Sequence, residues 1–142
     1  MKYVEVLMVE DNRGDVVLVQ EAIQHESLPY NMTVASDGVE AMDYLQRQIR
    51  RAGAPRPDLI ILDVQLPRKT GTEVLAEIEA NPAFCGIPTV IFSSSLGPVS
   101  PAAAGKGCFH MHVSKPAKFA GYVALVRTIE EFRKTAKGDA KP

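Results

Sequence analysis

The fold is decided by the stretch Leu59-Ile60-Ile61-Leu62-Asp63-Val64-Gln65-Leu66-Pro67. Its four leading apolar residues, two of them β-branched, predict a strand that is buried on both faces. Pro57 before this run and Pro67 after it keep the strand short. Asp63 ends the strand, and the carboxyl ends of parallel strands form the ligand-binding edge of an open α/β sheet. Asp63 is therefore a candidate functional residue, although an aspartate there can also simply begin a turn.

Similar apolar segments on both sides of this strand alternate with helical patterns. Further strands are predicted at residues 4–9, 32–35, 87–92 and 111–114, and helices at residues 15–23, 39–51, 72–79 and 119–136. Strands that alternate with helices through short loops imply right-handed crossovers and a parallel sheet covered on both faces. The pattern predicts a flavodoxin-like, doubly wound α/β fold with five strands in the order 2-1-3-4-5.

The composition indicates one globular domain, which we expect to occupy residues 1–137, with residues 138–142 as a flexible tail. The chain has 142 residues, 46% of them hydrophobic, and a net charge of -1. Without a long basic run, neither a nucleic-acid site nor a basic membrane patch is indicated. No apolar run approaches the roughly 20 residues that span a bilayer, and no signal peptide is evident, so we expect a cytoplasmic protein.

The two cysteines, Cys85 and Cys108, do not follow a metal-ligand spacing. In a cytoplasmic protein they fit reduced thiols better than a disulfide framework.

Acidic residues follow two strands that the predicted order makes neighbours. Glu10 and Asp11 follow the first strand, and Asp63 ends the third. At the switch point of the sheet these carboxylates would converge, and converging carboxylates repel each other unless a cation lies among them. Hard oxygen ligands in a hydrated site suit Mg²⁺.

A hydroxyl and a cation complete the set at the same edge. Ser93 ends the fourth predicted strand and Lys115 follows the fifth. A divalent ion, an ammonium group, a hydroxyl and a carboxylate around one point are suited to binding a phosphoryl group, which the carboxylate would accept as an acyl phosphate. Each residue alone has a commoner explanation as a turn or solvated loop residue.

Together these motifs resemble the receiver domain of two-component response regulators. The resemblance covers nearly the whole chain, and it is carried by Glu10-Asp11, Asp63, the loop from Pro67 to Gly71, Ser93 and Lys115-Pro116. The loop is rigid at Pro67, while Gly71 is free to adopt a positive φ.

The resemblance implies a role for each of these residues. Asp63 would accept a phosphoryl group from a histidine kinase, and Ser93 and Lys115 would contact the phosphoryl oxygens. The peptide bond between Lys115 and Pro116 would be cis. Mg²⁺ would be held by the side chains of Glu10, Asp11 and Asp63 and by the backbone carbonyl of Gln65.

Closer similarity is visible to single-domain regulators that partner phytochrome-type histidine kinases. It lies in residues 18–21, 56–59, 73–78 and 129–132. Regulators of this kind commonly form homodimers through their fourth and fifth helices and fifth strand, and the apolar side of residues 119–132 is compatible with such a dimer, although core packing also explains it.

Two features depart from the family pattern. Receiver domains usually carry Tyr or Phe three residues before the lysine, where this chain has His112. His112 is either a half-buried residue of an edge strand or a retained switch that couples signalling to protonation. Between residues 95 and 106, two prolines and two glycines leave room for about one turn of the fourth helix, which we expect to be short or irregular, and residues 97–107 to be mobile.

Two alternatives to a signalling receiver remain open. An aspartate-nucleophile phosphohydrolase uses the same residue types, but it carries a second Asp two residues after the nucleophile, where this chain has Gln65. The chain is therefore expected to catalyse no more than phosphorylation and dephosphorylation of its own Asp63. An inert receiver that only docks to partners is the other alternative.

Overall fold

The computed structural model describes residues 3–50, 56–94 and 108–136. Its strands are β1 (Val4–Val9), β2 (Tyr30–Ala35), β3 (Leu59–Asp63), β4 (Thr89–Ser93) and β5 (His110–Ser114). Its helices are α1 (Arg13–His25), α2 (Gly38–Arg50), α3 (Gly71–Ala80), α4 (Pro82–Cys85) and α5 (Phe119–Ala136). All strand pairs are parallel and the sheet order is β2-β1-β3-β4-β5, which confirms the predicted fold.

The core consists of two apolar layers, one on each face of the sheet. Alternate residues of a strand point to opposite faces, so Met8 of β1 packs in the layer with α1 and α5, while Leu7 packs in the layer with α2 and α3. All five residues of β3 are buried. Burial on both faces explains why β3 reads as a continuous apolar run, and it holds Asp63 at a fixed place on the sheet edge.

The helices differ from the prediction at two places. Helix α1 begins before Asp15, because Asn12 is its N-cap and the Asn12 side chain accepts a hydrogen bond from the Asp15 N–H. The one-turn helix α4 was not predicted; its N-cap is Asn81, and Pro82 occupies its first position. The short fourth helix and the mobile segment expected between β4 and β5 fall in residues 95–107, and the tail at 138–142, all outside the described residues.

Gly71 does not use its freedom to adopt a positive φ. The left-handed residue of this loop is Arg68, with φ 65°. Gly71 instead begins α3 with ordinary helical backbone, and it is needed because a Cβ there would collide with the carbonyl oxygen of Asp63 and lie 2.6 Å from the Cα of Val64. The glycine therefore allows α3 to start against the end of β3.

The prediction of reduced cysteines is also wrong. Cys85 at the end of α4 and Cys108 just before β5 form a disulfide, with their Cα atoms 4.8 Å apart. The two residues are 23 positions apart in the sequence, but the parallel pairing of β4 with β5 brings their starting ends together. Their proximity is thus a product of tertiary structure, which sequence spacing does not report.

Candidate functional site

A cleft of about 950 Å³ lies at the carboxyl edge of the sheet, over the ends of β1 and β3. Most of the predicted site residues line it: Glu10, Asp11, Asp63, Gln65, Pro67, Lys115 and Pro116. The strand order predicted this convergence, because β1 and β3 are hydrogen-bonded neighbours.

Three carboxylates meet in the cleft. Glu10 and Asp63 are buried, with 2% and 4% of their surface exposed, whereas Asp11 is exposed. One oxygen from each lies within 4.8 Å of the other two. Backbone N–H groups orient the buried pair: the N–H of Gln65 donates to Oδ1 of Asp63 over 3.1 Å, and that of Asn12 donates to Oε2 of Glu10 over 3.1 Å.

Lys115 extends from the end of β5 into this acidic group. Its Nζ lies 3.2 Å from Oδ2 of Asp63 and 3.1 Å from Oε1 of Glu10. The backbone N–H of Lys115 donates to the carbonyl oxygen of Ser93 over 2.7 Å, which continues the β4–β5 pairing and fixes the start of the side chain. The described chain contains no cis peptide bond, so the expected cis bond between Lys115 and Pro116 is wrong. The two isomers before proline differ little in free energy, and Lys115 reaches the carboxylates from the trans form.

Burial and the short distances between these ionisable groups shift their pKa values. Burial, and then the hydrogen bond with Asp63, raise the pKa of Glu10 well above its ordinary value. Burial alone would lower the pKa of Lys115, but the neighbouring carboxylates of Asp15 and Glu10 outweigh it and raise that pKa above its usual range. Lys115 therefore remains positively charged, while Glu10 keeps its proton to a higher pH than an ordinary glutamate does.

The donor set fits a divalent cation. Oε1 of Glu10 is buried and, among the described residues, accepts no hydrogen bond, although Nζ of Lys115 lies within ion-pair distance of it. A buried carboxylate oxygen without a hydrogen bond, beside two further carboxylates, is an arrangement that a hard cation with oxygen ligands completes.

The loop between β3 and α3 forms the opposite wall of the cleft. The N–H of Gly71 donates to the carbonyl oxygen of Val64 over 3.0 Å, which closes the loop. Thr70 lines the cleft and is the N-cap of α3, where it forms a capping box with Glu73. The start of α3 is thus held rigidly beside Asp63.

Three predicted residues lie outside the cleft lining: Ser93, His112 and Gly71. The side chain of Ser93 is buried at the end of β4, and Ser94, the next residue, lines the cleft. His112 is exposed on the edge strand β5, where its backbone pairs with Ile91. It is more exposed than the half-buried position considered from the sequence.

Sequence reasoning missed several residues that the structure brings to the cleft, among them Asp15, Ser94 and Tyr122. Asp15 lies in the first turn of α1 and Tyr122 in the first turn of α5, and their side chains meet above the end of β5. Asp15 lies in the first turn of the helix that directly follows the acidic pair, and this closeness in sequence was the one signal that could have placed it near the cleft.

Comparison with known proteins identifies the family. The sequence profile of the response regulator receiver domain matches residues 6–127. The chain belongs to this family. As a receiver domain it is a signalling module and not a classical turnover enzyme. Within the described residues, no helix has the length and apolar character needed to cross a membrane.

Several relatives of this receiver domain are known. The response regulator Rcp1 of Synechocystis sp. is 35% identical over 127 residues, which cover 89% of this chain and 86% of Rcp1. The crystal structure of the phosphorylated cyanobacterial phytochrome response regulator RcpA matches this chain with a TM-score of 0.78 and 37% sequence identity. The match covers 92% of this chain and 94% of RcpA. A manganese-bound structure of Rcp1 has 35% identity and a TM-score of 0.75, covering 90% and 92% of the two chains. The receiver domain is thus homologous to these regulators over almost its whole length.

Proposed function

We propose that Asp63 accepts a phosphoryl group from a sensor histidine kinase of the phytochrome type. The observation that carries this proposal is the buried carboxylate of Asp63, held by a backbone N–H on one oxygen and by Lys115 at 3.2 Å on the other, at the open edge of the sheet. The kinase class is supported by the similarity to RcpA, which is described as a phytochrome response regulator. We expect residues 1–137 to form the whole signalling domain.

The transfer is a displacement at phosphorus. A carboxylate oxygen of Asp63 forms a bond to the phosphorus of the kinase phosphohistidine, while the P–N bond breaks and the imidazole keeps the electron pair. The product is an acyl phosphate, which water hydrolyses later. Lys115 then pairs with a phosphoryl oxygen, because its Nζ already lies within hydrogen-bond distance of Asp63.

Glu10, Asp11, Asp63 and the backbone carbonyl of Gln65 would hold Mg²⁺, which supplies charge neutralisation for the phosphoryl oxygens when it is bound. The cluster of three carboxylates and the buried oxygen of Glu10 support this assignment. Rcp1 has been crystallised with Mn²⁺, which takes the same type of oxygen ligand.

A serine hydroxyl is expected to contact the phosphoryl group as well. Ser93 is the residue indicated by the family motif, but Ser94 is the one that lines the cleft. We propose that Ser93 takes the role after a local movement at the end of β4, and Ser93→Ala and Ser94→Ala variants separate the two residues by their phosphorylated lifetimes. Pro67, Gly71 and Pro116 would shape the cleft, and His112 is the candidate switch on β5.

The output would pass through dimerisation or through a partner. The proposed dimer face consists of β5, α5 and the helix that the sequence predicts between β4 and β5, which is distinct from α4. The apolar spacing of residues 119–132 is compatible with such a face. A net charge of -1 gives no support for nucleic-acid binding, and we expect the protein to act in the cytoplasm.

The proposal is tested by intact-mass spectrometry after incubation with phosphoramidate, with and without Mg²⁺. We expect one added phosphoryl group that requires Mg²⁺ and is absent from Asp63→Asn. The matched control is Asp58→Asn, which removes a carboxylate at the other end of the same strand, where Oδ2 accepts a hydrogen bond from the Glu5 N–H. It should be phosphorylated like the wild type.

Size-exclusion chromatography of the same samples reports the output. Dimerisation that appears only in the phosphorylated wild type supports the proposed dimer. A folded wild type that acquires no phosphoryl group would disprove the phosphoacceptor role and favour the docking alternative. Transfer from a phytochrome-type kinase at a rate no faster than from an unrelated histidine kinase would disprove the proposed pairing.

A further inference from the structure

The carboxylate closest to Lys115 is not one of the predicted acidic site residues. Its Nζ lies 2.7 Å from Oδ2 of Asp15, compared with 3.2 Å from Oδ2 of Asp63. Both contacts have hydrogen-bond geometry. The same ammonium group is therefore shared between α1 and the proposed phosphorylation site, and its shortest bond is to α1.

Asp15 is held in place by the start of its own helix. It is the third residue of α1, and its N–H donates to Oδ1 of Asn12 over 3.1 Å. A carboxylate in the first turn is favoured by the helix dipole, and this one is shielded, with its side chain only 18% exposed. Asp15 thus offers Lys115 a fixed and partly buried acceptor.

The other oxygen of Asp15 connects this contact to α5. The hydroxyl of Tyr122 donates a long hydrogen bond to Oδ1 of Asp15, at 3.4 Å. The ring of Tyr122 is buried and meets Phe92 edge-on, with centroids 6.3 Å apart, and Nζ of Lys115 lies 5.2 Å from the centroid of Phe92. Lys115, Asp15, Tyr122 and Phe92 therefore form one contiguous group.

We propose that Asp15 is a positioning residue that competes with the phosphoryl group for Lys115 and reports the outcome to α5 through Tyr122. This inference rests on the proposed phosphorylation of Asp63. When the phosphoryl oxygens arrive, their charge draws Nζ away from Asp15. Asp15 then loses its shortest contact, and the hydrogen bond from the Tyr122 hydroxyl becomes its main side-chain interaction. Because Tyr122 lies in the first turn of α5, that turn is the part of the protein that responds to phosphorylation.

The competition predicts that phosphorylation becomes faster when the charge of Asp15 is removed. In Asp15→Asn, Lys115 keeps only a neutral partner on α1, so we expect phosphorylation by phosphoramidate to be faster by roughly tenfold, the effect of losing one charge-assisted hydrogen bond. Asp15→Glu, which retains the charge, should stay nearer the wild-type rate. Glu21→Gln is the matched control, because it removes an exposed carboxylate from the same helix, and it should not change the rate.

A spectroscopic readout separates this role from simple folding effects. The chain has four tyrosines, so ring carbon NMR of tyrosine-labelled protein resolves Tyr122, with Tyr122→Phe to assign it. We expect the Tyr122 resonances to shift on phosphorylation of the wild type and to shift much less in Asp15→Asn. Should Asp15→Asn prove unfolded, Tyr122→Phe serves instead: in the phosphorylated variant, the amide of Val123 should lack the phosphorylation-dependent shift that it shows in the wild type.

The outcomes distinguish the two proposals. A wild type that takes up no phosphoryl group overturns both. A wild type that is phosphorylated on Asp63, with Asp15→Asn indistinguishable from Glu21→Gln in rate and from the wild type in the Tyr122 shift, overturns the role of Asp15 and leaves the proposed function standing. In Tyr122→Phe, a Val123 shift like that of the wild type overturns the coupling to α5.

Discussion

The carboxyl edge of the sheet, where the strands end, and the amino edge, where they begin, are stabilised by different interactions. At the carboxyl edge, the side chains of Glu10, Asp15 and Asp63 surround the ammonium group of Lys115. At the amino edge, a disulfide joins Cys85 to Cys108, and the strands are held by local hydrogen bonds. Both edges belong to the same five strands, so the difference comes from the residues that follow or precede each strand.

At the amino edge, two buried or partly buried polar groups find partners within the protein. The carboxylate of Asp58 accepts the N–H of Glu5 over 2.9 Å, and the buried hydroxyl of Thr89 donates to the carbonyl oxygen of Ile87 over 3.1 Å. The carboxyl edge leaves an excess of negative charge partly buried, which costs free energy of folding. The receiver domain therefore holds like charges close together at the carboxyl edge, while a disulfide cross-links the amino edge.

The largest expected effect is at the amino edge, on removal of the disulfide. The double variant Cys85→Ser with Cys108→Ser should lower the free energy of unfolding by about 3 kcal/mol, because the cross-link closes a loop of 23 residues and restricts the unfolded chain. The measurement is urea denaturation, and the phosphorylation rate should be unchanged because these residues lie at the far end of the strands.

Reductant provides the control for this prediction. It should destabilise the wild type and leave the double variant unaffected. Two titratable thiols in the oxidised, folded wild type, together with equal urea midpoints for the two proteins, would contradict the disulfide and its contribution.

The next effect tests how tightly the carboxyl edge is packed. Gly71→Ala should cost roughly 1–3 kcal/mol, because the new Cβ collides with the backbone of Asp63 and forces α3 away from β3. The same displacement should slow phosphorylation. Thermal denaturation and the phosphoramidate assay measure the two effects.

Gly86→Ala is the matched glycine variant at the amino edge. A Cβ there meets no atom within 4 Å, and the residue has ordinary helical backbone, with φ -79°. Its stability should therefore change by less than about 1 kcal/mol. Equal losses in the two glycine variants would contradict packing against Asp63 as the cause of the first result.

The two edges also differ in how well the sequence predicted them. The strand order and the convergence of Glu10 with Asp63 follow from the apolar runs and the right-handed crossovers, which are properties of long segments. They were confirmed because no single side-chain conformation decides them. The disulfide was missed because its two cysteines meet only after β4 pairs with β5.

The details of the site depended on local geometry that the sequence did not specify. The role of Asp15 required α1 to begin at Arg13, and that start is set by the Asn12 cap. The left-handed residue in the loop after β3 proved to be Arg68 and not Gly71, because Gly71 was needed for close packing instead. Such choices depend on contacts between elements, and the residue types alone allow more than one outcome.

A smaller effect of opposite sign is expected for the reactive carboxylate. Asp63→Asn should raise the free energy of unfolding by about 1 kcal/mol, because it removes one of the repelling charges around Lys115 while Oδ1 still accepts the Gln65 N–H. Urea denaturation without divalent ions measures it. Adding Mg²⁺ should stabilise the wild type and have little effect on Asp63→Asn.

Asp58→Asn is the comparison for this variant at the amino edge. Its carboxylate is not among like charges, so the substitution should give no gain and a loss of up to about 1 kcal/mol. A marked loss of stability in Asp63→Asn would show that the carboxyl edge is not strained, and the proposed difference between the edges would be wrong.

The smallest effect is a pH dependence at the start of β5. The side chain of His110 is 7% exposed, its Nδ1 lies 3.5 Å from Oε2 of Glu79, and its Nε2 has no hydrogen-bond partner among the described residues. Burial lowers the pKa of His110 below its ordinary value of 6.5; the charge of Glu79 opposes this shift and His112 adds to it. The unfolded chain therefore binds a proton at a higher pH than the folded protein does.

Above about pH 6.5, His110 is neutral in both states and the free energy of unfolding should not depend on it. As the pH decreases from there toward the lower pKa of folded His110, the free energy of unfolding should fall. The slope should be no steeper than about 1.4 kcal/mol per pH unit. Urea midpoints between pH 5 and pH 8 measure this slope, and His110→Gln should reduce it. His112→Gln, on the same strand but exposed, should reduce it less. An equal reduction in both variants would mean that burial at the amino edge is not the cause, because burial is what distinguishes the two histidines.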